Sequence, residues 1–308
     1  MSEIVLQTRD LTKYYGRHLA LDHLNLTVTK GTVYGLLGRN GSGKTTAIKL
    51  LLGFLRPTCG SGEVLGCDSS NLTPQARGRI GYVCEGHPLY RWMPIGTLEG
   101  FQKAFYPDRW DRRLFDEMLD YFGLTRRQRI RTLSNGERAQ VSLALAMATS
   151  PDLLVMDDPT LGLDVVIRRQ FLQGMIHLIQ QKGKTVLFSS HILSDVERVV
   201  DRVAVIDKGV LRADCTLEEF RSSIRKVHAE LTGPLPAGFD LPGSLHCRQQ
   251  GGLTEWIVVG ATDDQIEQAL SQAPAKGFTC EPMNMEDQFI EFTSPARNRR
   301  LFEWEDRP

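Results

Sequence analysis

The sequence predicts an α/β fold: a mostly parallel sheet with an antiparallel β layer and a helical subdomain, followed by a small α+β domain. Three observations predict it. The apolar strand Val33–Leu37 runs directly into a glycine-rich loop and then a helical segment, Thr46–Leu52. The nearly unbroken apolar runs Leu153–Met156 and Thr185–Phe188 are typical of strands buried on both faces of a parallel sheet. The residue pattern changes after about Cys215, where we expect the second domain to begin.

Composition limits the classes of function. The 308 residues carry 37 basic and 37 acidic side chains, so there is no overall field to hold a nucleic acid, and none is expected as a partner. The six cysteines form no CxxC pair, and the N-terminus does not resemble a signal peptide, so we expect a reducing, cytoplasmic compartment. Apolar runs end well before the roughly 18 residues that span a bilayer. We therefore expect a chain that does not cross a membrane.

The first elements predict an antiparallel β layer. Ile4–Leu6 and Leu24–Val28 have the pattern of short strands, with a turn near Gly16 and another at Lys30–Gly31.

The strongest chemical signal is the loop after Val33–Leu37. Gly38 to Thr45 matches G-x-x-x-x-G-K-[ST] between a strand and a helix, which is the context that a phosphate-binding P-loop requires. Lys44 should reach the β- and γ-phosphates of ATP, and the Thr45 hydroxyl should bind Mg²⁺. A chance glycine-rich turn is the alternative, and the flanking strand and helix argue against it. The candidate nucleotide-binding residues here are Gly38, Asn40, Gly41, Ser42, Gly43, Lys44, Thr45 and Thr46.

Two carboxylates follow the buried run Leu153–Met156. Asp157 is placed to hold the magnesium shell, and Asp158 to polarise the attacking water. An acidic strand end that only caps the next turn is the alternative, and the P-loop makes it less favoured.

The spacing of apolar residues changes in the middle of the chain and again near its end. Apolar residues recur at helical spacing between about Pro94 and Ile130, which predicts a helical insertion. Later, Leu245–Gln249 and Glu255–Val259 flank a Gly251–Gly252 turn, and a helix follows at Asp264–Ala273.

A pentapeptide before Asp157 carries a family resemblance. Leu133-Ser134-Asn135-Gly136-Glu137 looks like the signature motif of the ABC ATPases, although Ser134 could also be an ordinary helix cap. With the P-loop and Asp157, the chain resembles that family over about residues 1–214, with 87–150 as the helical subdomain. The resemblance implies that Ser134, Asn135, Gly136 and Glu137 bind ATP held by the opposite cassette of a homodimer or heterodimer.

Three further positions extend the resemblance. Tyr15 looks like the aromatic residue that stacks on adenine, Asp164 lies in a segment like the D-loop, and His191 looks like the histidine that contacts the γ-phosphate and the attacking water. The family implies Mg²⁺ and ATP as cofactors.

Two positions depart from the family pattern. Glu85 stands where a glutamine commonly contacts the metal, and Asp158 stands where glutamate is usual. Moving a catalytic group by about 1 Å can cost about 100-fold in rate, so we expect slow hydrolysis.

The segment 215–308 shows no catalytic motif. Its helix Met285–Thr293 resembles the terminal helix of ATPase subunits from type-2 ABC exporters, although an ordinary amphipathic helix would have the same pattern. That class implies a separate polytopic transmembrane permease and a peripheral position on the cytoplasmic face of the membrane. A charge-rich tail follows from Arg297 to Pro308, which we expect to be flexible.

Two alternatives share the cassette. One is a soluble, non-transport ABC ATPase that acts on nucleic acid or ribosomes, which a single P-loop without a basic stripe disfavours. The other is an ATP-gated regulator with weak hydrolysis, suggested by Glu85 and Asp158.

Overall fold

The computed structural model describes residues 3–182, 184–236, 238–250 and 252–293. It divides into two compact units, with the boundary between Asp214 and Cys215. The tail from Arg297 lies outside the described residues. Within them, no helix is both long and apolar enough to cross a membrane.

The first unit contains eleven named strands, all in one sheet. They are β1 (Ile4–Tyr15), β2 (His18–Leu24), β3 (Thr27–Thr29), β4 (Val33–Leu37), β5 (Cys59–Val64), β6 (Cys67–Asp68), β7 (Ile80–Val83), β8 (Leu153–Asp157), β9 (Thr185–Ser190), β10 (Arg202–Asp207) and β11 (Val210–Thr216). The helices are α1 (Lys44–Leu51), α2 (Pro74–Arg77), α3 (Ile95–Phe105), α4 (Arg112–Phe122), α5 (Asn135–Ala148), α6 (Val165–Lys182) and α7 (Leu193–Val196).

The sheet has a parallel part and an antiparallel part. Strand order is β6-β5-β1-β2-β11-β10-β4-β9-β8-β7, and β3 pairs with β1. The pairs from β10 through β4, β9 and β8 to β7 are parallel. β1 pairs with β2, β3 and β5 in antiparallel register. The predicted mixed sheet with an antiparallel layer is therefore confirmed.

Burial explains why the central strands are apolar. Every residue of β4, β8 and β9 is buried. A strand in the middle of a parallel sheet is covered on both faces, so its side chains cannot alternate between water and core. The carboxyl ends of parallel strands meet at one edge of the sheet, where ligands of open α/β folds bind.

The helical insertion lies between β7 and β8. α4 begins after Asp111, whose side chain accepts a hydrogen bond from the Leu114 backbone, and ends at Gly123. Helices α3 and α4 lie within the predicted range of about Pro94 to Ile130, and α5 follows it.

One predicted strand is wrong in its bounds. The run Leu24–Val28 is divided between the end of β2 and β3. The Asn25 side chain breaks the ladder, because its Oδ1 accepts from the Asp10 backbone at 2.8 Å and its amide donates to the Asp10 carboxylate at 3.0 Å.

The second unit contains a separate sheet of order β13-β14-β12-β15, with antiparallel pairs throughout. Its elements are α8 (Leu217–Ser223), β12 (Ile224–Leu231), β13 (Ser244–Gln250), β14 (Leu253–Val259), α9 (Asp263–Leu270), β15 (Ala275–Pro282) and α10 (Met285–Thr293). The fully buried Trp256 lies in its core together with Val227, Ile266 and Leu270. Helix α9 ends three residues earlier than predicted, because the backbone N–H groups of Gln272 and Ala273 bond to the third residue before them, in turns that precede Pro274.

Candidate functional site

The P-loop connects β4 to α1 and encloses the side chain of Lys44. Gly43 has φ 112°, a left-handed conformation that favours glycine, and caps α1. Helix α1 therefore begins at Lys44, two residues earlier than predicted. A Cβ at Gly38 would lie 2.2 Å from Ser42 Oγ and 2.5 Å from the Ile206 carbonyl oxygen. The tight loop thus depends on glycine at both positions.

Lys44 is 5% exposed and its ammonium group is held on several sides. Nζ donates to the carbonyl oxygens of Gly38 at 2.9 Å and Arg39 at 3.4 Å. It also lies 3.5 Å from Asp158 Oδ2. The Lys44 ammonium group and the Asp158 carboxylate are therefore in contact.

Asp157 ends β8 and is almost completely buried. Its Oδ1 accepts hydrogen bonds from Thr45 Oγ1 at 3.1 Å and from Ser189 Oγ at 2.8 Å. Burial raises the pKa of Asp157, and the charge of Asp158 raises it further, whereas the two hydroxyl groups oppose the rise. The P-loop threonine and the first carboxylate thus meet as the sequence predicts.

Asp158 joins three elements of the site. Its Oδ1 lies 2.9 Å from His191 Nδ1 and also accepts from the His191 backbone N–H at 3.2 Å. Its own backbone N–H donates to Ser189 Oγ at 2.9 Å. Since a carboxylate accepts, Nδ1 carries the proton and Nε2 is left as the free ring nitrogen for chemistry. The structure brings Lys44, Asp158 and His191 together.

A cavity of about 470 Å³ opens over the P-loop. Glu85, at the carboxyl end of β7, and Asp158 both line it, and so does Tyr15, which is 46% exposed. The complete lining is Tyr15, His18, Ala20, Asn40, Gly41, Ser42, Gly43, Lys44, Thr45, Thr46, Glu85, Asp158 and Leu161.

No motif of the sequence indicates His18 or Ala20 as lining residues, whereas Leu161 begins the segment that resembles the D-loop. His18 and Ala20 belong to β2, which follows Tyr15 after a two-residue turn at Gly16 and Arg17. Recognition of that hairpin would have placed them beside the candidate adenine residue.

The residues of the predicted signature motif, and Asp164 of the D-loop-like segment, lie outside this cavity. Ser134, Asn135, Gly136, Glu137 and Asp164 are not part of the cavity lining in the described chain. Ser134 caps α5, since its Oγ accepts from the Glu137 backbone at 3.2 Å while Glu137 Oε2 accepts from the Ser134 backbone at 2.7 Å. Asp164 Oδ1 similarly accepts from the first backbone N–H groups of α6 at 3.0 Å.

Gly136 has a packing role that the sequence did not reveal. A Cβ at this position would lie 2.4 Å from Ile167 Cγ2. Glycine therefore lets the start of α5 approach α6 closely.

The oxygen atoms at the P-loop fit Mg²⁺. In the described part of the chain, no three His, Cys, Asp or Glu side chains form a metal cage. Magnesium bound with a nucleotide needs only one or two protein oxygens besides phosphate and water. Thr45 and Asp157, joined at 3.1 Å, supply such oxygens, and Glu85 lines the same cavity.

Comparison with known proteins agrees with this geometry. Residues 21–161 match the family model described as ABC transporter. The bacitracin transport ATP-binding protein BcrA of Bacillus licheniformis is 32% identical over 72% of this chain and 73% of its own length. The Nod factor export ATP-binding protein I of Cupriavidus metallidurans is 35% identical over 67% of this chain and 69% of its own.

A solved structure has the same fold. The ATP-binding subunit of an ABC transporter superposes with a TM-score of 0.63 at 26% identity, covering 70% of this chain and 92% of that one. The sequence matches, the fold and the P-loop together show that this chain belongs to the ATP-binding proteins of ABC transporters.

Proposed function

We propose that this chain is the ATP-hydrolysing motor subunit of an ABC exporter, in which two cassettes close on ATP and drive a separate permease. The observation that carries the proposal is the contact chain Lys44–Asp158–His191 on the P-loop, with 3.5 Å and 2.9 Å between the charged or polar atoms. It joins a phosphate-binding cation to a candidate base and its histidine.

ATP binding follows from the cavity lining. Backbone N–H groups of the loop from Gly38 and the positive end of α1 suit a triphosphate. Lys44 adds a positive charge that can exchange its contacts with backbone carbonyls for phosphate oxygens. Tyr15 is exposed at the cavity and offers a flat face for adenine.

Hydrolysis needs a group that orients water and accepts its proton. Asp158, which lines the cavity, has that role in the proposal. His191 does not line the cavity in the described chain, and it would act through its Nδ1 hydrogen bond to Asp158, with Nε2 left available. Thr45, Asp157 and Glu85 would hold Mg²⁺, which neutralises charge that develops on the phosphates.

Slow turnover is part of the proposal. The carboxylate of Asp158 is one methylene shorter than that of the usual glutamate, and its oxygens contact Lys44 and His191. A catalytic group displaced by about 1 Å can lose about 100-fold in rate.

A second cassette would complete the site. Ser134 and the start of α5 are absent from the cavity lining in the described chain. In a dimer, homomeric or with a second cassette protein, the capped N-terminus of α5 would meet the γ-phosphate held by the other P-loop. Leu161 and Val165, near Asp164, are exposed apolar residues that such an interface would cover.

An exposed aromatic row supports a permease partner. The ring centroids of Trp92 and Tyr90 lie 6.5 Å apart, those of Tyr90 and Phe101 lie 5.8 Å apart, and those of Phe101 and Phe105 lie 5.1 Å apart. The four side chains are 42% to 67% exposed. Contiguous exposed apolar surface of this kind marks protein contacts. The polytopic permease would place the protein peripherally on the cytoplasmic face of the membrane.

Export is favoured over import by two observations. One relative is named for Nod factor export. The helix Met285–Thr293 also resembles the terminal helix of type-2 exporter ATPases. Residues 1–214 would then be the cassette, and 215–308 an accessory domain.

Steady-state phosphate release with Mg-ATP tests the motor function. Lys44→Ala should abolish it, whereas Lys49→Ala, an exposed lysine on the same helix, should retain it. Specific activity that rises with protein concentration would support the dimer. Equal rates for wild type and Lys44→Ala would refute hydrolysis at this P-loop.

A regulator with weak hydrolysis is the second candidate. The contacts of Asp158 with both Lys44 and His191 favour it, because they restrain the carboxylate that would have to orient the attacking water. It predicts ATP-dependent dimerisation without measurable phosphate release.

Aromatic docking is tested separately. Trp92→Ser and Phe105→Ser should reduce recovery of the protein with its permease in membranes, whereas Tyr121→Ser, an exposed aromatic residue outside the row, should not. Unchanged recovery for the first two variants would exclude the row as the docking surface.

A further inference from the structure

The loop after β7 contains a buried histidine that the proposed mechanism does not use. His87 is 4% exposed, two residues beyond Glu85. Its Nε2 lies 3.0 Å from the carbonyl oxygen of Pro159, the residue after Asp158. Since a carbonyl oxygen can only accept, Nε2 is the donor.

This hydrogen bond joins two segments that each carry a carboxylate of the site. Glu85 and Asp158 both line the P-loop cavity, but they come from different strands of the sheet, β7 and β8. Among the described side chains, His87 is the one whose hydrogen bond to Pro159 ties the two loops together beyond the strand ends.

Both segments have strained backbones next to this bond. His87 has φ 47° directly after Gly86 at φ 73°, and Asp158 has φ 42°. A left-handed conformation costs a non-glycine residue of order 1 kcal/mol or more and persists only where the surroundings impose it. Without a link, the two loops would have freedom to relax separately.

The surroundings of His87 indicate a specific role rather than general packing. Nδ1 has no hydrogen-bond partner among the described residues, so a buried polar atom is left unsatisfied. An apolar side chain of similar size would avoid that cost. What the imidazole provides in return is the Nε2 donor at Pro159.

We propose that His87 is a positioning residue for ATP hydrolysis, whose hydrogen bond to Pro159 holds the Glu85 loop and the Asp158 segment in fixed relation on the wall of the phosphate cavity. This inference rests on the proposed hydrolytic function. His87 is not part of the cavity lining in the described chain, and it acts through the position of Asp158. Its loss should therefore lower kcat with little change in the KM for ATP.

Three substitutions of His87 separate the effect of the hydrogen bond from the effects of side-chain volume and backbone conformation. Glutamine at position 87 places an amide N–H at the level of imidazole Nε2, and leucine fills a similar volume without a donor. Asparagine tolerates left-handed backbone well but its amide reaches only the level of Nδ1.

Steady-state kinetics with Mg-ATP then test the role. His87→Leu and His87→Asn should lower kcat about 10- to 100-fold, the range for a small misplacement of a catalytic group. His87→Gln should recover most of the wild-type kcat. Equal kcat in the glutamine and leucine variants, or a change confined to KM, would overturn the proposal.

A second readout keeps this inference separate from the proposed function. Hydrogen exchange should be faster in the peptide that contains Asp158 to Leu161 in His87→Leu, but not in His87→Gln. If wild type and Lys49→Ala both fail to release phosphate, the hydrolytic function is refuted. Independently, an unchanged exchange rate of this peptide in His87→Leu would refute the role of the His87–Pro159 hydrogen bond.

Discussion

His191 Nδ1 lies 2.9 Å from Asp158 Oδ1, and the opposite oxygen of the same carboxylate lies 3.5 Å from Lys44 Nζ. One side chain thus joins the ends of β8 and β9 to the P-loop after β4. The Asp158 carboxylate is therefore held from two sides. Its length and contacts govern the rate that we expect.

Lengthening this side chain tests that view. Asp158→Glu extends the carboxylate toward the cavity by one methylene, and we expect turnover to rise by about 10-fold or more. Asp158→Asn keeps the size but removes the base, so its turnover should fall. Phosphate release under saturating Mg-ATP measures both, and an Asp158→Glu rate no higher than wild type would refute the expected slow site.

Two glycine-to-alanine substitutions test the packing at the start of α5. Gly136→Ala should lower the free energy of unfolding by about 1–3 kcal/mol, because its Cβ would meet Ile167 Cγ2 at 2.4 Å and the branched side chain cannot move away freely. Gly100→Ala in α3 has open space around the new Cβ and should be neutral or slightly stabilising. Thermal melts compare the two.

A second substitution tests whether the lost stability comes from the contact between positions 136 and 167. Ile167→Ala should restore part of the stability that Gly136→Ala loses, since the two positions are in contact. Losses that add without any coupling would show that α5 and α6 do not meet at Gly136.

A pH-dependent ion-pair network lies at the start of β8. The Asp152 carboxylate lies 2.5 Å from Arg79 and 3.1 Å from Arg109. Burial alone would raise the pKa of Asp152, but the hydrogen bonds from the two guanidinium groups outweigh it, so the pKa is lowered. Because the folded-state pKa is below the unfolded one, the carboxylate stabilises the fold above the unfolded value, about 3.9, and this stability is lost as pH falls through the folded value.

Asp152→Asn measures this contribution. At pH 7 the variant should be less stable by about 1 kcal/mol or less, since the network is partly exposed and screened. The difference should close as pH falls below about 4. Urea titrations at several pH values give both quantities, and a gap that stays constant down to low pH would contradict the network's role.

Much of the fold and part of the site followed from sequence. The P-loop, the buried strands and the helix Met285–Thr293 were placed correctly, because apolar runs and a glycine-rich loop are local signals. Strands such as β5 were missed, since Cys59–Val64 contains two glycines and is mostly exposed. Its pairing with β1 is a long-range contact that has no local pattern.

The missed parts of the site have the same cause. His87 looks like an ordinary loop residue until β7 and β8 are paired, which brings it to Pro159. Gly136 matched a family motif, but its contact with Ile167 depends on how α5 and α6 pack. The spacing of nearby residues predicts neither the His87–Pro159 hydrogen bond nor the Gly136–Ile167 contact.

The central claim is that ATP is hydrolysed at a P-loop completed by the α5 N-terminus of a second cassette. Mixing two inactive variants, Lys44→Ala and Ser134→Arg, tests it most directly, after thermal melts show that both are folded. Half of randomly formed dimers would be mixed and carry one intact composite site, so the account predicts recovery of up to about a quarter of wild-type phosphate release. A mixture no more active than its separate components would contradict a site shared between two copies of this chain.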